Sequence, residues 1–207
     1  MLFVAGAVAF ERLFAARLSF VRPGLLAAML VIAAILAPTV IPVLPPEKLV
    51  SYMRATHFAP PLTETSHSAA LPQLFADQFG WEDMVPSVAR AYRDLVPNEQ
   101  RKVAISCPNY GEAGAIDFFG REYGLLPALS GHQNYYLWGP RGYSGDLMLA
   151  IDDPGGEEAE PFQSVEDLGP IDTGQWAIPW EQRNHIYLCR GLKGGLQSLW
   201  PRLKEWL

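Results

Sequence analysis

Charged residues are scarce in this sequence. Asp, Glu, Lys and Arg make up 18% of its 207 residues, against about 25% in ordinary soluble domains. The deficit is local: residues 1–44 carry only Glu11, Arg12, Arg17 and Arg22, whereas the composition from Pro45 onward is that of a soluble domain. Cysteine is scarce too. Cys107 and Cys189 stand alone, without a Cys-x-x-Cys spacing, so there is no zinc signature. Both fall in strand-like runs, VAISC and HIYLC, and would pair only if those strands are neighbours. A disulfide and two buried thiols both remain open. Neither G-x-G-x-x-G nor G-x-x-x-x-G-K-[ST] occurs, which weakens a nucleotide reading. There is no Ser-His-Asp signature and no carboxylate pair at a suggestive spacing, so no catalytic residue is assigned. The residues make no case for a metal or a cofactor.

What the first 44 residues have instead is apolar length. Gly24 to Leu44, GLLAAMLVIAAILAPTVIPVL, is 21 residues without a charge. As a helix rising about 1.5 Å per residue it covers roughly 30 Å, the thickness of a bilayer core. A signal peptide would have a shorter apolar core and a small-residue cleavage site, but PVLPPEK follows. A transmembrane helix over 24–44 is the expectation, with Pro38 and Pro42 disturbing its second half. Residues 1–10 are apolar but too few to span, and resemble the tail of another membrane helix. Between them, residues 11–23 carry Arg12, Arg17 and Arg22 against Glu11. By the positive-inside tendency this loop is cytoplasmic, and residues 47–207 are extracytoplasmic. That outer part has 13 Lys and Arg against 21 Asp and Glu, a net charge of −8, which does not invite nucleic acid.

The outer part reads as an α/β domain. PPEKLVSYMRAT opens it as a short amphipathic helix with Leu49, Tyr52 and Met53 on one face. HFAPPLTETSHSAALPQ is a loop, with His57 and His67 solvated. Trp81 to Leu95 has helical apolar spacing, with Glu82 and Asp83 in the first turn and Pro86 near the start. RKVAISC is a strand, GEAGAIDFFGREYG a helix closed by Gly124, and DLMLAID a second strand. DPGGEEAEP is an acidic loop. FQSVEDLGPI and NHIYLCRGL are further strands, and GGLQSLWPRLKEWL is a closing helix with Leu196, Leu199, Trp200, Leu203 and Trp206 on its apolar side.

Two dense stretches are candidates for a site. VAISC runs through PNYGEAG into a helix, and ligands of open α/β sheets bind outside the carboxyl ends of strands. If PALS is a neighbouring parallel strand, its end brings Gly131, His132 and Asn134 beside Asn109, Tyr110 and Glu112, with Tyr135, Tyr136 and Trp138 as flat apolar faces. The candidate substrate-binding residues are Asn109, Tyr110, Glu112, His132, Asn134 and Trp138. A ligand site and a structural corner both remain open: Glu112 also fits as a dipole charge at a helix start, and the aromatics also fit as core.

NYGEAGAIDFFGREYGLLPALSGHQNYYLWGP, together with LPQLFADQFGWEDMV, CRGL, LWPRLKEW and the apolar exit LAPTVIPVLPPE, resembles the C-terminal region of bacterial membrane proteins of glycosyltransferase family 39. These are relatives of the dolichyl-phosphate-mannose–protein mannosyltransferases. The resemblance implies a multi-spanning GT-C enzyme of the bacterial cytoplasmic membrane that moves a sugar from a polyprenyl-phosphate donor to an extracytoplasmic acceptor. Its catalytic acid lies in the first extracytoplasmic loop, to which nothing here corresponds; Glu11 sits in a cytoplasmic loop. This chain would then be the C-terminal portion, inactive alone, with an accessory domain that covers the active site. A membrane-tethered binding module without enzymatic activity is the alternative, and a purely structural cap is a third reading.

Overall fold

The computed structural model describes residues 2–15, 20–58, 70–154, 161–179 and 181–206. Arg17, His67 and most of the two loops expected at 57–73 and 153–161 lie outside the described residues. The chain divides into two compact units, Met1–Pro61 and Leu62–Leu207.

The first unit is helical. α1 spans Leu2–Ala15, so it continues past the expected end at residue 10. Glu11 and Arg12 are good helix formers, and no proline intervenes before Pro23. α2 spans Val21–Val40 rather than 24–44. It starts early because Pro23 sits in the first turn, where its missing N–H costs nothing. It ends early because Pro42 forces the preceding residue out of helical conformation: Ile41 is extended, at φ −115°, ψ 133°. Arg22 bonds Glu11 at 2.5 Å. Almost all of α2 is exposed, with Leu26, Met29, Leu30, Val31, Ile32 and Ile35 more than half so. It is the helix among the described residues that is long and apolar enough to cross a membrane. α3, Pro46–Thr56, begins on its proline and buries Leu49 and Met53, while the Tyr52 hydroxyl donates to Ile35 O at 2.5 Å.

The second unit is mixed α/β. α4 (Gln73–Ala76), α5 (Val85–Asp94) and α6 (Pro97–Gln100) precede β1 (Ala104–Ser106). α7 (Tyr110–Phe119) runs into a 3-10 turn closed by Gly124 at φ 73°. β2 (Ala128–Leu129), α8 (Gln133–Tyr136), β3 (Leu147–Asp152), β4 (Ser164–Pro170), β5 (His185–Arg190) and α9 (Leu196–Leu199) complete it. α5 starts four residues later than the apolar spacing predicts, which leaves Pro86 in its first turn and puts Glu82 and Asp83 in the turn before it. The closing helix is also shorter than expected. Pro201 removes the N–H that would continue it, the chain tightens into a 3-10 turn at Trp200–Arg202, and Leu203 and Trp206 are left 41% and 47% exposed.

The five strands form one sheet in the order β2-β1-β3-β5-β4. β1 is parallel to β2 and β3, whereas β5 is antiparallel to both β3 and β4. The side-chain alternation of β3 divides the core. Leu147, Leu149 and Ile151 pack with Ile105, Leu188 and residues of α5 and α7 on one face. Met148 and Ala150 pack with Ala104, Leu129, Leu196 and Trp200 on the other. β4 is the exposed edge, guarded by Glu166, Asp167, Pro170 and an irregularity between Asp167 and Gly169. Cys107 belongs to the first core and Cys189 to the second. β3 lies between their strands, so they form no disulfide.

Candidate functional site

Asn109 follows the carboxyl end of β1 and caps α7. Its Oδ1 accepts from Gly111 N–H (2.8 Å) and Glu112 N–H (3.0 Å), which satisfies two of the donors a helix start leaves open. PALS does supply the neighbouring parallel strand, β2. The two dense stretches therefore meet at the sheet end, where the Tyr110 ring lies 5.0 Å from that of His132, tilted by 34°.

The crevice expected there is filled by the chain's own C-terminal segment. Gln133 N–H donates to Glu205 O (2.8 Å) and Glu205 N–H donates to Gly131 O (3.0 Å), forming a parallel bridge between His132 and Glu205. Gly131 permits this approach: a Cβ there would fall 1.7 Å from Leu203 O. About 50 Å³ remains beneath, lined by Cys107, Met148 and Trp200 among others. Among the described residues nothing pairs with the buried His132 Nδ1.

Glu112 does not join this group. Its side chain is 1% exposed, and its Oε1 accepts from Asn184 Nδ2 at 2.6 Å. Its Oε2 has no partner among the described residues. Burial, reinforced by the neighbouring charge of Glu181, pushes its pKa up to about 8, with Asp152 adding to the rise and the bonds from Asn109 and Asn184 opposing it. Glu181, 3% exposed, is likewise pushed to about 8 by burial and then by Asp77. Burial thus favours the neutral form of Glu112, in contrast to the dipole-stabilised anion its place in the sequence suggests. Thr173, also buried, has no partner for its hydroxyl among the described residues.

Asn134 is exposed on α8, and Trp138 is 56% exposed. Trp138 sits edge-on to Tyr135 at 4.4 Å, with the Arg141 guanidinium 5.1 Å from its ring. Asp117 holds this cluster by accepting from Arg141 (2.9 Å) and the Tyr135 hydroxyl (3.2 Å). Tyr136 is stacked on Trp200, 5.7 Å apart and nearly parallel, so it serves the second core.

A different surface is open. The turn Gln78–Asp83 and one face of α7 enclose a solvent-open groove of about 610 Å³, within the roughly 300–1,000 Å³ range of small-molecule sites. Phe79, Trp81, Tyr110, Phe118 and Phe119 supply aromatic walls, and Glu82 and Asp83 line it too. Trp81 is fixed at one edge, its indole N–H donating to Asp77 O at 2.6 Å. Its ring lies so close over Gly111 that a Cβ there would come within 2.6 Å of Trp81 Cη2. Phe118 is 70% exposed and braced edge-to-face by Phe119 at 4.8 Å. Of the six candidate residues, Tyr110 alone lines this groove. The other walls were legible in part: Tyr110, Gly114 and Phe118 recur every four residues along one helix face.

Among the described residues no cluster of His, Cys, Asp and Glu is arranged to hold a metal ion. No family model, curated protein or solved structure matches this chain.

Proposed function

We propose that this chain is the C-terminal portion of a GT-C membrane glycosyltransferase related to family 39. The whole enzyme would transfer a sugar from a polyprenyl-phosphate donor to an extracytoplasmic acceptor at the bacterial cytoplasmic membrane. α2 is its last membrane helix, residues 47–207 lie on the extracytoplasmic side, and the α/β unit helps select acceptor or sugar. The catalytic acid belongs to a part of the enzyme outside these residues. The observation that carries this reading is the pairing of a 20-residue helix, apolar on every side, with an α/β unit whose sequence resembles that family's C-terminal domain.

The test is transfer in membranes containing the complete enzyme, with a polyprenyl-phosphate-linked sugar as donor. Tyr110→Ala with His132→Ala, which removes the ring pair at the end of β1 and β2, lowers the transfer rate or alters acceptor preference. An unchanged rate and preference would sink the selecting role. A second reading, a membrane-tethered binding module, is favoured by a specific feature: the sheet-end crevice is already closed by residues 203–205. Absence of any transfer by the complete protein, with ligand binding retained, decides for that module.

A further inference from the structure

The geometry points to the groove between Gln78–Asp83 and α7 as a binding site for an organic ammonium group, such as a quaternary amine or the ammonium end of a flexible stem. Its walls include the aromatic rings of Trp81, Tyr110 and Phe118, and its charged lining groups are Glu82 and Asp83. Among the described residues no Lys or Arg lines it. Aromatic faces carry a negative quadrupole that attracts cations, and the exposed carboxylates add a salt-dependent attraction at short range. The same lining repels phosphate and carboxylate ligands, because it supplies acceptors and no cationic donor. A purely apolar ligand would leave two carboxylates at its edge without benefit.

The groove is also built rather than incidental. Trp81 is pinned by its hydrogen bond to Asp77 O and seated on Gly111, a position that admits no side chain. Gly80, at φ 93°, turns the chain so that Glu82 and Asp83 follow at the edge, and a Cβ there would lie 2.8 Å from that of Ala177. Gly114 leaves the α7 wall low between Tyr110 and Phe118, since a Cβ there would meet only the Tyr135 hydroxyl at 3.8 Å. The α/β unit as a whole is acidic, so cations are drawn toward it at low salt. This site stands apart from the transferase reading, and its test requires no transfer.

The experiment titrates the full chain in neutral detergent with choline, following the Trp81 indole N–H by NMR. The parallel titrations use 3,3-dimethylbutanol (the uncharged isostere of choline), potassium chloride and maltotriose. Choline is expected to shift Trp81 and to bind about tenfold more tightly than its neutral isostere, a gap that narrows as salt rises. Phe118→Ala and the double variant Glu82→Gln with Asp83→Asn each weaken choline severalfold. Tyr123→Ala, which removes an exposed aromatic outside the groove, leaves binding unchanged. Equal binding of choline and its isostere overturns the proposal, as does an equivalent shift with potassium alone. A shift by maltotriose but not choline assigns the groove to neutral sugars and overturns it as well. Phe118 and the two carboxylates are exposed, so these variants fold even where a Trp81 variant does not.

Discussion

At the residue scale, Glu112 shows how far local sequence can mislead. A glutamate in the first turn of a helix is ordinarily a solvated anion facing the dipole. Here α7 turns that position inward, against Asn184 and near Glu181, 69 or more residues away in sequence. Nothing near Glu112 in the chain announces those partners, so burial and neutral charge were not legible. The pairing makes a pH prediction. Both carboxyls have folded pKa values near 8 against 4.5 for a free Glu. Between pH 4.5 and about 8 the folded chain therefore holds more protons than the unfolded one, and stability falls as pH rises through that window. The contribution of these two carboxyls is level below 4.5 and again above 8. Urea midpoints at pH 5, 7 and 9 should decline in that order. Glu112→Gln keeps an acceptor for Asn184 while removing one titration, so it should flatten the decline and exceed the natural chain at pH 9. A natural chain whose midpoint rises from pH 5 to 9 contradicts the assignment. The cap at Asn109 is the converse case. It bonds residues two and three positions on, and such short-range capping is written in the sequence.

At the element scale, prolines and glycines explain where periodicity alone gave the wrong bounds. Pro42 shortens α2, Pro86 delays α5 and Pro201 truncates the closing helix. Each acts locally, so each boundary was in principle readable. The placing of the C-terminal segment was not. Residues 203–205 lie across Gly131 at the end of β2 through two backbone hydrogen bonds, an association of segments about 70 positions apart. It depends on a glycine whose Cβ would overlap Leu203 O. Gly131→Ala should therefore expel this segment while sparing the sheet. Hydrogen exchange is the measurement: the amides of Gln133 and Glu205 lose protection, and those of β3 and β5 keep theirs. Retained protection at Glu205 would mean that the segment is held by something other than this close approach. Trp200 stays buried beside Tyr136, so the loss is confined to the residues beyond it.

At the scale of the whole molecule, the chain joins two kinds of surface. α2 exposes aliphatic side chains around its full circumference, a surface that water does not favour and a bilayer core does. The α/β unit buries its aliphatics in two cores and leaves an acidic exterior. The full chain should remain with membranes through alkaline carbonate extraction. Ile32→Arg puts a charge near the middle of α2, at an insertion cost of about 2.5–3.5 kcal/mol, and should release a measurable fraction. Complete retention of that variant would show that α2 is not what holds the chain to the membrane.

Local sequence was enough to read an apolar helix before an α/β domain, four of the five strands and the helix after β1, with β2 expected only conditionally. These follow from composition, periodicity, proline and capping, all of which act within a few residues. Packing between distant segments settled which face of α7 is sealed and which lines a groove. It also decided that Cys107 and Cys189 fall in separate cores, and that the expected crevice is occupied from within. Those outcomes depend on the sheet order β2-β1-β3-β5-β4 and on contacts between distant segments. The free energy of such contacts is a property of packing, to which no single stretch of sequence holds the key.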